Sequence, residues 1–123
     1  MELKEQVCSL ELAKELKELG VKQESLFWWD GYTNFEDEIK LEYGKPDFVA
    51  GDAMFYSAFT VAELGEMLPR GYMSFHDSIG KWFCEDLDTF IQPGYKEIPD
   101  DYNTEAVARA KMLIYLLENK LIK

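Results

Sequence analysis

The chain has 123 residues, 24 of them acidic and 13 basic, for a formal net charge of −11; 47% are hydrophobic and 15% aromatic. Its length is that of one domain, its apolar content excludes a disordered chain, and no apolar run approaches the roughly 18 residues of a membrane span. The charge excludes non-specific nucleic-acid binding, which needs clustered Lys and Arg, and leaves a basic protein partner or a plain solvated surface.

The elements follow in chain order. Residues 1–6 are charged and lack the apolar stretch of a signal peptide. Cys8 and Cys84 are too few for a disulfide framework, so the expectation is a cytoplasmic protein with reduced thiols. Ser9 caps a first helix over residues 10–19, with Leu12, Ala13, Leu16 and Leu19 on one face and Gly20 as its stop. Residues 25–29 read as a strand ended by Asp30-Gly31. Ile39, Leu41 and Tyr43 alternate with charged residues, which predicts a strand over 38–43 with one wet face, broken by Lys45-Pro46. Residues 53–59 form a buried strand.

Thr60 and Glu63 make a capping box for a short helix over 61–68, ended by Pro69 and Gly71. Tyr72–His76 and residues 81–86 form a hairpin around Asp77-Ser78-Ile79-Gly80. Thr104 caps a last helix over Glu105–Glu118. Its apolar face is Ala106, Val107, Ala110, Leu113, Ile114 and Leu117, and Asn119 takes the left-handed position at its end. These elements predict one α+β domain over residues 1–123. Its mainly antiparallel sheet of four to five strands carries two longer helices and one short helix. Strands apolar on both faces need a cover on each side, from the helices or from a second copy of the chain.

A four-residue hairpin loop sets Phe75 opposite Trp82 and Met73 opposite Cys84. Those four form a wholly apolar core face, with Tyr72, Ser74, His76, Lys81, Phe83 and Glu85 on the other. That register buries Cys84 and turns the sole histidine, His76, away from it, which denies a Cys–His nucleophile pair.

Other constellations are weak. One His and two distant Cys do not make a metal site. Asp30, Tyr32 and Asn34 alternate like calcium-loop ligands, yet Phe35 and Leu41 stand where that loop needs Gly and Glu. No phosphate loop or dinucleotide fingerprint occurs, so no cofactor is expected. Glu36, Asp37, Glu38, Glu85, Asp86 and Asp88 are too numerous and too linear to single out a hydrolytic pair. The run from Thr60 to Leu68 has a helix-turn-helix flavour, but no basic second helix follows.

The best binding candidate is Trp28-Trp29-Asp30-Gly31-Tyr32. Adjacent strand residues point to opposite faces, so one Trp enters the core and the other meets a helix, a partner or a ligand. Trp and Tyr are enriched in binding hot spots. The candidate residues are Trp28, Trp29, Asp30, Tyr32 and Tyr56, with Tyr56 and also Tyr95 weaker than the Trp28–Tyr32 run; the plain alternative is that helices cover both Trp.

Three stretches, ELAKELKELGVKQESLFWW (11–29), YSAFTVAELGEMLPRGY (56–72) and NTEAVARAKMLIYLLENKLI (103–122), with Trp82-Phe83-Cys84 on the hairpin, resemble small proteins of unknown function encoded by phages and prophages of bacteria. The resemblance covers about half the chain and carries no catalytic residues. It implies the cytoplasm of an infected or lysogenic bacterium. The expected function is that of a non-enzymatic protein that binds a host or phage protein, as a monomer or homodimer. The alternative is a nucleotide or small-molecule binder using Arg70, Arg109 and Lys111, followed by a carboxylate-based hydrolase.

Overall fold

In the computed structural model the described residues are 2–32, 39–45, 53–76, 80–86 and 104–122. The acidic run 36–38, the loop residues 77–79, Asp88 and Tyr95 lie outside them. The order is α1 (Leu3–Gln6), α2 (Leu10–Glu18), β1 (Phe27–Tyr32), β2 (Lys40–Tyr43), β3 (Ala53–Ala58), α3 (Val61–Met67), β4 (Tyr72–His76), β5 (Trp82–Asp86) and α4 (Glu105–Glu118). The α+β expectation holds, with every strand pairing antiparallel. The strands form two sheets, β2-β1-β3 and β4-β5, where one sheet of four to five was expected.

Local chemistry sets most boundaries. Ser9 Oγ accepts from the Leu12 N–H, and Gly20 closes α2 at φ +89°. There the Val21 N–H reaches the Leu16 carbonyl at 3.0 Å, a left-handed C-terminal cap. The Thr60 hydroxyl accepts from the Glu63 N–H at 3.2 Å while the Glu63 carboxylate accepts from the Thr60 N–H at 2.9 Å. The same cap closes α4 one residue beyond the expected position: Asn119 keeps φ −93° and Lys120 takes φ +55°.

Asp30-Gly31 does not end β1. Gly31 pairs with Met54 inside the ladder. A Cβ there would lie 2.8 Å from Ile39 Cγ1 and 3.0 Å from Ile39 Cα, so this glycine admits a close crossing of the chain and makes no turn. The charged N-terminus also forms a helix: the Glu2 N–H donates to Glu5 Oε2 at 3.1 Å, and α1 is too short to show a periodicity.

The hairpin register differs by one residue on one strand. Phe75 pairs with Phe83, Ser74 with Cys84 and His76 with Trp82. Tyr72, Trp82 and Cys84 join the core, whereas Met73 is 52% exposed. Ser74 is tolerated on the inner face because α4 supplies partners for its hydroxyl. Arg109 Nε donates to Ser74 Oγ at 2.9 Å, and Ser74 Oγ donates in turn to the Glu105 carboxylate. Cys84 is buried as expected, but His76 shares its face; the two are diagonal neighbours, about 7–8 Å apart between backbones in such a ladder.

A single core joins both sheets. α2 packs on β3, α4 packs on β4 and β5, and α2 and α3 pack on α4. Contact on several sides explains why Ala108, Met112 and Leu116 are buried along with most of the expected face of α4. Leu12, Ala13, Leu16, Phe59 and Leu64 complete this core, and Trp29 and Tyr56 pack against it from the first sheet.

Candidate functional site

Pairing in the three-stranded sheet sorts the candidate residues. Trp28 faces Ser57 and Glu42 across the ladder; Trp29 faces Tyr56 and Leu41. Asp30 sits between Phe55 and Lys40, on the Trp28 face. Tyr32 pairs with Ala53 at the end of β1. The five candidates therefore do not converge: Trp29 and Tyr56 share the core side, while Trp28 and Asp30 share the other.

Both Trp are anchored through their indole N–H groups. Trp28 Nε1 donates to the Ser25 carbonyl at 3.1 Å, and Trp29 Nε1 to the Cys8 carbonyl at 3.0 Å. Trp28 is 1% exposed. Its ring tilts against Phe55 at 5.6 Å, and Lys45 Nζ lies 5.9 Å from its centroid. Trp29 is half-buried against the core. The sequence left open which Trp would need a second cover; in the fold each is held by a backbone carbonyl.

Tyr56 carries a cationic roof. Lys17 Nζ stands 5.0 Å from the Tyr56 ring and 4.8 Å from Phe55, and Lys14 Nζ stands 5.9 Å from Tyr56. These are cation–π distances. Lys17 also donates to the Phe55 carbonyl at 3.1 Å. Nothing in the local sequence marks Lys17 for this role, because the contact joins α2 to β3 across 38 positions.

The basic residues expected in a nucleotide or small-molecule pocket are placed differently. Arg109 is committed within the fold: Nη1 donates to the Val61 carbonyl at 3.0 Å, and Nη2 pairs with Glu105 at 3.4 Å. It passes α3 where Gly65 has no side chain; a Cβ at Gly65 would collide with Arg109 Nη1. Burial, and then the positive charge of Lys81, hold the Lys111 ammonium below the usual lysine range. Arg70 is exposed.

Cys8 joins the N-terminal segment to β3. Its N–H donates to the Phe59 carbonyl at 2.9 Å, and its thiol lies 3.9 Å from the Ser57 carbonyl. Burial pushes that thiol up to about 12, and the Glu63 carboxylate adds to the rise. A thiol held neutral is not a nucleophile at physiological pH. Among the described residues no group of three or more His, Cys, Asp or Glu is placed to hold a metal ion, and no helix is long and apolar enough to cross a membrane. Compared with known proteins, the chain matches no family model, no curated protein and no solved structure.

Proposed function

We propose that this chain is a small, non-enzymatic, phage-type protein that binds a basic site on a host or phage protein in the bacterial cytoplasm. The observation that carries the reading is the acidic surplus and the exposed carboxylates that present it. Acidic residues outnumber basic ones 24 to 13, and several of the described cations sit beside carboxylates or aromatic rings. Lys4 and Lys22 pair at the surface with Glu2 and Glu24. Lys14, Lys17 and Lys45 lie over aromatic rings. Arg109 is tied to Glu105, Ser74 and Val61. The carboxylates of Glu11, Glu18, Glu42 and Glu66 stand at exposed positions. Such a surface steers a basic partner into encounter and repels nucleic acid. The phage setting rests on the resemblance of the three stretches.

The test is capture from bacterial lysate on the immobilised chain, followed by affinity measurement with the isolated partner. One basic protein retained near 1:1 is expected. Its affinity should fall by about ten-fold or more between about 50 and 500 mM salt, as screening shortens the reach of surface charge. The double reversal Glu11→Lys/Glu18→Lys should slow association. Capture of no protein, or an affinity indifferent to salt, overturns the reading.

A further inference from the structure

The two edges of the three-stranded sheet are built differently. The outer edge of β3 is closed. Lys17 Nζ takes the Phe55 carbonyl, the Gln23 side-chain oxygen takes the Ser57 N–H at 2.8 Å, and the Cys8 N–H takes the Phe59 carbonyl. A bridge between Val7 and Thr60 continues the closure. Unpaired edges invite another strand, and this one is protected from that.

The opposite edge, β2, has no such cover among the described residues. The Gly44 N–H donates to the Leu26 carbonyl at 2.7 Å. Bonded pairs alternate in an antiparallel ladder, so Glu42 and Lys40 also turn their backbone groups toward β1. Ile39, Leu41 and Tyr43 then turn theirs outward. Lys40 and Glu42 are exposed, and Tyr43 is 76% exposed.

We propose that β2 is a self-association edge, pairing antiparallel with β2 of a second copy about a two-fold axis through Leu41. The backbone permits registers in which outward residues face outward residues. An axis through Lys40 sets lysine against lysine, and one through Glu42 sets glutamate against glutamate. The axis through Leu41 sets Lys40 opposite Glu42 of the second copy, twice by symmetry. Opposite charges directly across an antiparallel pair stabilise it and like charges oppose it. On the other face the same axis sets Ile39 against Tyr43 and Leu41 against its own copy. Ile39-Lys40-Leu41-Glu42-Tyr43 is thus complementary to itself in charge and in hydrophobicity, and the pairing makes one six-stranded sheet. A two-fold interface must be self-complementary in this way. So short an edge buries well under the roughly 1,600 Å² of a standard interface, the size class of weak and transient contacts.

Sedimentation equilibrium up to about 1 mM protein at about 0.15 M salt, where the Debye length is ~8 Å, tests the proposal. The native chain is expected to dimerise. Lys40→Glu and Glu42→Lys should each weaken the dimer about ten-fold or more by setting like charges across the axis, and the combined swap should restore it to within about three-fold. Leu41→Pro should abolish it and leave the monomer's melting temperature in place, because no described residue pairs with the outward-facing Leu41 N–H. If that proline does lower the melting temperature, the exposed charge variants decide. A monomer at every concentration, or a dimer unmoved by the reversals, overturns the proposal. Neither result bears on capture of a basic partner, which is read in a separate experiment.

Discussion

The Ser57 side chain is wholly buried, opposite Trp28, and its hydroxyl has no hydrogen-bond partner among the described residues. A buried hydroxyl without a partner costs more than it contributes. Ser57→Ala keeps the Cβ and removes the orphan, so chemical denaturation should show stability unchanged or raised by about 1 kcal/mol. Loss of more than that would mean the hydroxyl is satisfied in solution. Cys8 carries a second residue-level prediction. Its ordinary value of 9.0 is raised to about 12 in the fold. The unfolded thiol therefore ionises first as pH rises. Stability from this group is complete below pH 9 and is lost as pH climbs towards about 12. Relative to Cys8→Ala, the native chain should lose roughly 1 kcal/mol per pH unit between about pH 9 and 11. Equal pH slopes for the two proteins would count against a buried neutral thiol.

Among the elements, α3 and α4 meet around a glycine and an arginine. Gly65 leaves the space through which Arg109 reaches Val61, Ser74 and Glu105. Gly65→Ala gains about 1 kcal/mol of helix propensity but displaces Arg109 from those bonds, so it should destabilise the native chain. With Arg109→Ala already in place the collision is gone, and Gly65→Ala should then stabilise by about 0.5–1 kcal/mol. A double-mutant cycle by denaturation reads the change of sign, and additive effects would refute the clamp. The same cluster explains the hairpin. Polarity alone favours the face Met73, Phe75, Trp82 and Cys84, yet Ser74 lies inward because Arg109 and Glu105, some 30 positions on, satisfy it. The capping box at Thr60 was readable because its partners are three residues apart. Glu63 also accepts from the Leu26 N–H at 3.2 Å, which no local pattern contains.

At the scale of the whole molecule, charge gives the two proposed interactions opposite responses to salt. A complex with a basic partner is held by attraction that screening weakens. Two copies carrying −11 each repel at long range, so moderate salt should favour the dimer even as it loosens the Lys40–Glu42 contacts. Titrating salt on the chain alone and on the partner complex therefore separates the two processes. The layered arrangement supports both, because the helices pack on one face of the first sheet and no described residue covers the β2 edge.

What the sequence determined by itself is what short-range physics controls. Thr60, Ser9, Thr104 and Gly20 set helix ends through bonds spanning a few residues, and spacings of three and four placed Leu12, Ala13 and Leu16 inside. The antiparallel α+β class followed from element order. The tertiary structure alone decided the partition into two sheets, the hairpin register and the fate of the tryptophan pair. It also decided how Lys17, Gln23 and Cys8 close the β3 edge, while no described residue does the same for β2. Each of these depends on groups tens of residues apart, such as Lys17 with Phe55, Gln23 with Ser57 and Arg109 with Ser74. Such partners are chosen by packing, and no window along the chain contains both.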